Sequence, residues 1–176
     1  MGNHCGTHVD TPSHFFNNGK GVSEYPAKFW WFNHPCVLNI RAGKNRVINK
    51  EHFYGKIKGA CDILIIKTGF GALRGRKSYS FENPIIHPEA AMWLRLNKPN
   101  IRAVGFDFVS AGSMSNRAMG REAHRAFLSP KGEGSPILLF EDMDLSQEIR
   151  GLKRVCALPI RIKHIDSAPC TILGFL

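Results

Sequence analysis

An α/β domain built on a mixed central sheet is the fold class this chain predicts, and three observations predict it. The run Ile63-Leu-Ile-Ile66 is apolar without a break, which marks a strand covered on both faces. Further apolar runs follow at 101–109 and 136–140, separated by helical patterns at 88–96 and 117–128. The resulting order is a strand, then β-α-β-α-β-α-β, then a strand, and that alternation produces parallel sheets with covering helices. The 176 residues fit one domain spanning 1–176, with 43% hydrophobic and 22% charged residues to build its core and surface.

The elements follow in order. Residues 15–36 carry Asn-Asn-Gly-Lys-Gly, Pro26 and Pro35 and are expected to be loop, with the aromatic cluster Phe29-Trp-Trp-Phe32 lining a substrate pocket, a subunit interface or simply the core. A short strand at 37–40 and a helical turn at 50–54 come next. The strand at 63–66 ends in the turn signal Thr68-Gly69, and the polar, Gly-rich residues 71–84 are expected to form a flexible loop. Pro88 at an early helical position opens the helix at 88–96. A strand at 101–109, an Ala- and Arg-rich helix at 117–128 and a strand at 136–140 complete the alternation. A short helix at 146–153 and strands at 155–163 and 171–175 close the chain.

The densest chemistry lies at the start, in His4-Cys-Gly-Thr-His8-Val-Asp10-Thr-Pro-Ser-His14. His4, His8, Asp10 and His14 all hold even positions, and an extended chain turns alternate side chains to one face. Gly6, Pro12 and the β-branched Thr7, Val9 and Thr11 argue against a helix here. Imidazole with carboxylate is a ligand set for zinc, manganese or non-haem iron. Cys5, at an odd position, should face away. Thr7 and Thr11 are placed to orient ligands through hydrogen bonds.

The string His-x-Gly-Thr-His-x-Asp-x-Pro-x-His resembles the signature of the metal-dependent cyclase family, which includes bacterial kynurenine formamidase and isatin hydrolase. The resemblance extends through Asp62–Phe70, Ala103–Ser110, Arg121–Leu128, Ile137–Leu145, Leu158-Pro-Ile and Asp166–Cys170. It implies a swivelling β/β/α-type domain, assembled as a homodimer or homotetramer. It implies that His4, His8 and Asp10 bind a divalent metal, with His124 and Glu141 completing the site and Asp142 or Asp144 as alternatives to Glu141 in another register. Zinc is the first expectation, with manganese or iron as alternatives and one or two ions per chain. His14 is the expected acid/base, since an imidazole titrates near neutral pH and can take a proton from water and return it to a leaving amine. The family's segment of several tens of residues before the signature is not part of this sequence, and a chain shortened in this way is expected to expose a sheet edge. The loop at 129–135 is longer than in the kynurenine formamidases.

The leading expectation is hydrolysis of a non-peptide amide of a small molecule, with N-formylkynurenine as the named substrate. The alternatives are hydrolysis of a cyclic amide such as isatin, another small-molecule cyclase reaction, or a catalytically inactive metal-binding assembly protein. The net charge of +10 is scattered and accompanies no nucleic-acid module, so no nucleic-acid partner is expected and an anionic substrate is the better match. No apolar run reaches the length of about 20 residues that a membrane helix requires, so no membrane contact is expected. No signal peptide is recognisable, and the five cysteines lack metal or redox spacing; a cytoplasmic protein with free thiols is expected.

Overall fold

In the computed structural model, which describes residues 2–176, the Ile63–Lys67 strand turns its side chains alternately into two apolar cores. Leu64 and Ile66 enter one, Ile63 and Ile65 the other, and all four are buried. The continuous apolar run therefore has the cause predicted for it: both faces of the sheet are covered.

The strands are β1 (His8–Asp10), β2 (Trp31–Phe32), β3 (Pro35–Asn39), β4 (Val47–Ile48), β5 (Ile63–Lys67), β6 (Ile85–Ile86), β7 (Ala103–Phe106), β8 (Leu138–Glu141), β9 (Arg154–Pro159) and β10 (Ser167–Phe175). Eight of them form one mixed sheet in the order β2-β9-β10-β1-β8-β7-β5-β3. The half from β8 to β3 is parallel, as crossover helices demand; β1 runs antiparallel to both of its neighbours. β4 and β6 make a separate two-stranded parallel pair. Three α-helices, α1 (Lys77–Phe81), α2 (Pro88–Asn97) and α3 (Arg117–Leu128), lie in the connections. α2 opens on Pro88 behind an N-cap at His87, whose side chain accepts the Glu89 N–H.

α2 and α3 are fastened end to end by one buried side chain. The Arg95 guanidinium donates to the carbonyls of Ala126 (2.7 Å) and Gly134 (2.6 Å), satisfying a carbonyl in the last turn of α3. The N-terminal half of α3 meets the 110–113 loop more closely still, because both sides are glycine there. A Cβ on Gly120 would come within 2.5 Å of the Gly112 Cα.

Several expectations are corrected. Residues 146–153 form no helix; they run as an irregular connection into β9. Residues 71–84 are not an unstructured loop, since they hold a 3-10 turn at Phe70–Leu73 and α1, both anchored by buried aromatic side chains (Phe70, Tyr79) that stack on each other. β9 stops at Pro159, which cannot donate to a ladder, and does not continue to 163. β10 begins at Ser167, four residues before the predicted strand. Residues 15–36 contain 3-10 turns at Val22–Glu24 and Ala27–Trp30 before β2. The edges of the large sheet are β2 and β3, and the signature strand β1 is an interior strand.

The aromatic cluster at 29–32 is structural. Phe32 and Trp30 are buried in the second core with Tyr25, and Phe29 packs against it. Arg102 lies over the rings of Phe29 and Phe32 and donates to the carbonyls of Phe29 and Trp31. Only Trp31 is exposed, stacked on Phe175.

Candidate metal centre

β1 and β8 place the heart of the site by register alone. His8 stands directly opposite Glu141, and His8 and Asp10, two residues apart on one strand, share that face. α3 then brings in His124 from the helix face formed by Gly120, Ala123, His124 and Phe127. His8, Asp10, His124 and Glu141 are all buried.

His4 and His14 arrive by a different route from the one expected. The chain is not extended from 4 to 14. Gly6 adopts a left-handed conformation (φ +64°), which only glycine enters without strain, and this folds the His4 turn back over β1. Beyond β1, Pro12 starts a 3-10 turn, Pro12–His14, that curls His14 inward. All four signature side chains therefore meet, but only His8 and Asp10 do so by strand alternation. Cys5 is exposed, away from the cavity.

The distances describe one cluster. Asp10 Oδ1 lies 3.1 Å from His4 Nδ1 and 3.5 Å from His8 Nε2; Asp10 Oδ2 lies 3.8 Å from His124 Nε2 and 3.9 Å from His14 Nε2. Glu141 reaches His8 Nε2 at 3.5 Å through Oε2 and His124 Nε2 at 3.2 Å through Oε1. Ala111 N–H donates to Glu141 Oε1 at 2.8 Å. Two histidines are oriented from behind: His8 Nδ1 is 2.8 Å from the Gly6 carbonyl and His124 Nδ1 is 2.7 Å from the Gly120 carbonyl. A carbonyl partner fixes the proton on Nδ1 and leaves each Nε2 lone pair facing the cluster.

That arrangement fits a divalent cation. His8 Nε2 and both carboxylate oxygens of Asp10 are buried without any hydrogen-bond partner. Orphaned buried polar atoms are costly unless something charged completes them. Each of the triads His4, His8, Asp10 and Asp10, His124, Glu141 offers ligand atoms within 4.8 Å of one another, with Asp10 common to both. Nitrogen and oxygen donors of this kind suit zinc, manganese and iron alike.

The alternatives to Glu141 point elsewhere. Asp142, in a left-handed conformation (φ 55°), is held by Arg74 at 2.6 Å and by the Tyr79 hydroxyl, while Asp144 is exposed and caps Ser146 N–H. Thr7 and Thr11 do hydrogen-bond behind the site: Thr7 Oγ1 donates to the Asp142 carbonyl (2.7 Å) and Thr11 Oγ1 to the Asp166 carbonyl (2.6 Å).

Asp166, just ahead of β10, is the site residue that sequence reasoning missed. Its Oδ2 accepts from His14 Nδ1 at 2.7 Å, and Thr11 N–H and Oγ1 both bind its backbone carbonyl. Burial works against the Asp166 charge, but the His14 hydrogen bond outweighs it and holds the carboxyl below its usual range. His14 Nε2 is thereby turned towards Asp10. His4, His8, Asp10, His14, His124 and Glu141 line a cavity of about 550 Å³, partly open to solvent, whose other walls include Phe15, Asn83, Ser110, Met114, Arg117 and Arg121. Phe15 stacks on His124 at 5.2 Å.

The electrostatics predict how pH acts on the chain once a chelator has removed any metal. Burial disfavours charged His8 and His124, but the Glu141 and Asp10 carboxylates overcome it and raise both imidazoles from 6.5 to about 9. Burial likewise opposes charge on Glu141, yet the same two histidines hold its carboxyl far below 4.5. A raised histidine stabilises fully below 6.5 and loses that contribution as pH climbs through about 9. A depressed carboxyl stabilises above 4.5 and loses its contribution as pH falls below it. Chelator-treated protein is therefore expected to melt highest between about pH 5 and 6.5 and to lose melting temperature towards pH 9. A metal needs neutral imidazoles, so the extra melting temperature given by zinc should grow over the same rise in pH. Thermal melts at pH 6 and 9, with chelator and with zinc, check both slopes; a flat metal-free profile contradicts the pairing.

A second expectation concerns the glycine contact. Gly120→Ala should destabilise the chain by about 1–3 kcal/mol in urea unfolding, despite alanine's better helix propensity, because α3 must move away from the 110–113 loop. His124 and the Ala111 N–H bound to Glu141 move with it, so metal affinity should fall as well. Unaltered stability and affinity would show that the contact is slack.

Comparison with known proteins bears on the same residues. The family model described as "Putative cyclase" matches residues 1–113, a span that holds His4, His8, Asp10 and His14 and ends before His124 and Glu141. An uncharacterised protein of Methanocaldococcus jannaschii is 30% identical over 180 residues, covering 100% of this chain and 80% of its own length. A kynurenine formamidase of Geobacillus thermodenitrificans is 28% identical over 181 residues, 96% of this chain and 74% of its own. Among solved structures, isatin hydrolase A from Labrenzia aggregata superposes with a TM-score of 0.79 at 23% identity, over 99% of this chain and 73% of that one. A potential metal-dependent hydrolase with cyclase activity gives 0.72 at 22% identity, over 99% and 79%. At those identities the structures speak for the fold.

Proposed function

The chain belongs to the putative cyclase family, and on that premise we propose that it is a metal-dependent hydrolase that cleaves the C–N bond of a small non-peptide amide, with N-formylkynurenine as the first substrate to test. The observation that carries this reading is the buried cluster around Asp10, whose two oxygens have no partner of their own. His4, His8, Asp10, His124 and Glu141 would hold a divalent cation, zinc ahead of manganese or iron, as one ion or as two sharing Asp10. When bound, such an ion lowers the pKa of water towards roughly 7 and polarises a carbonyl.

The chain's own groups do the rest. Asp166 accepts the His14 Nδ1 proton, which fixes the tautomer and leaves Nε2 free to take a proton from the attacking water. The same Nε2 then carries that proton to the departing nitrogen, so the amine leaves neutral. Phe15, Val109 and Met114 give the cavity an apolar wall for an aryl or acyl group. A cyclic amide such as isatin is the second reading, favoured by the likeness to isatin hydrolase folds.

The proposal extends to the setting. The five cysteines are free, which suits a reducing cytoplasm. Among the described residues no helix is long and apolar enough to cross a membrane. Exposed Leu158, Ile160, Ile162, Leu173 and Phe175 on and beside β9 and β10 suit contact within a homodimer or homotetramer.

The test pairs elemental analysis of protein purified without chelator with assays on N-formylkynurenine and isatin. Near-stoichiometric metal with turnover of the formamide supports the full reading. Turnover of isatin alone moves the substrate to cyclic amides, and metal without turnover of either points to an inactive metal-binding protein.

A further inference from the structure

Helix α3 carries three arginines, and the fold sorts them. Arg125 is paired with Glu122 on the exposed surface, Nη1 to Oε1 at 3.3 Å. Arg117 and Arg121 are exposed as well, but they line the cavity, on the helix face that also presents Gly120 and His124. Among the described residues neither guanidinium has a carboxylate within ion-pair distance. With a rise of about 1.5 Å per residue, their backbone positions lie about 4.5 and 10.5 Å along the axis from His124. The cavity therefore has a cluster of metal-type donors at one end and two unneutralised, fork-shaped cations along the wall leading from it.

A second group in the same cavity also lacks a partner. Asn83 is buried, its Nδ2 donates to the carbonyls of Pro84, Ser110 and Gly112, and its Oδ1 accepts from nothing. An unpartnered buried acceptor in a ligand cavity suits an N–H donor.

We propose that Arg117 and Arg121 form the anion subsite of this cavity and select amides that carry a carboxylate one to two helix turns from the scissile bond. The inference rests on the hydrolase reading for the word amide, while the anion subsite itself rests on the cavity. Guanidinium matches carboxylate as a planar fork, so the discrimination is one of charge and shape together. Asn83 would take an N–H from the same ligand.

The experiment uses zinc-loaded protein and a matched pair of probes, 3-phenylpropionate and 3-phenylpropanamide, with binding followed by calorimetry. The acid is expected to bind more tightly than the neutral amide, with roughly tenfold of that preference lost for each arginine replaced in Arg117→Gln and Arg121→Gln. The double variant should lose the preference, and Arg125→Gln, whose guanidinium is engaged outside the cavity, should keep it. An acid preference that survives in the double variant would put the carboxylate on the metal and overturn the subsite; so would equal binding of the two probes to the unaltered protein. With N-formylkynurenine and its methyl ester as substrates, the ratio of kcat/KM should shift towards the ester in the double variant. Failure of the hydrolase reading would be seen separately, as no turnover of any amide, and the binding comparison would still decide the subsite.

Discussion

Asp10→Asn is expected to leave a folded chain that no longer holds a metal ion and no longer turns over. Asparagine keeps the shape of the side chain and removes its charge. Four imidazoles lie within 3.9 Å of the Asp10 oxygens, and of the three possible ligand groups Asp10 joins the two that hold the expected ligands, His4-His8-Asp10 and Asp10-His124-Glu141; the third is His4-His14-Asp166. Loss of an outer hydrogen-bond partner of a ligand already lowers metal affinity roughly 10–100-fold; loss of the shared carboxylate should exceed that. His8→Ala should behave in the same way, because His8 is the cross-strand partner of Glu141 and its Nε2 has no other bond. Elemental analysis after dialysis gives the metal content, and circular dichroism separates loss of metal from loss of fold. A folded Asp10→Asn protein with a full complement of zinc would remove Asp10 from the site.

The second large effect should spare the metal. His14 lies 3.9 Å from Asp10 Oδ2 and packs beside the His4 ring at 4.4 Å, while its other nitrogen belongs to Asp166. His14→Ala should therefore purify with wild-type metal content and lose about 10²–10⁴-fold in kcat, the usual contribution of a positioned acid/base. Asp166→Asn should lose much of the same factor, because the amide puts either an N–H donor, which favours the wrong tautomer, or an uncharged and weaker acceptor against His14 Nδ1. The double variant should be little worse than His14→Ala alone, as expected for groups that act as a unit. Normal turnover by His14→Ala would falsify the acid/base role.

Particular residues show how far the sequence could be read. The Ile63–Ile66 run announced a doubly covered strand because burial on both faces removes any need for polar alternation. His8 and Asp10 were legible because strand period is fixed by backbone geometry. His4 and His14 were identified for partly the wrong reason: the Gly6 φ of +64° and the turn at Pro12 replace an extended chain with two bends, and local chain direction is not written in side-chain spacing. His124 came from the family resemblance alone, since a histidine within an Arg-rich helix has no local mark of burial. Asp166 gave no signal, because its partner His14 is 152 residues away in the sequence. The helix expected at 146–153 fails on the backbone: Gly151 takes a left-handed φ of +76°, and Ile149 and Leu152 reach the second core from an irregular chain.

The interior position of β1 has a consequence for how the protein is made. His8 is flanked by Glu141 on one side and Pro169 on the other, and both neighbours lie far downstream of it in the sequence. The signature is made before either neighbour and must wait for its slot between β8 and β10. Closing loops of that length makes assembly of the centre late and slow relative to the parallel half, whose strand neighbours are closer in sequence. In the interval the early histidines meet cations without the geometry to discriminate, so the choice of a metal would be settled at the close of folding and not at its start.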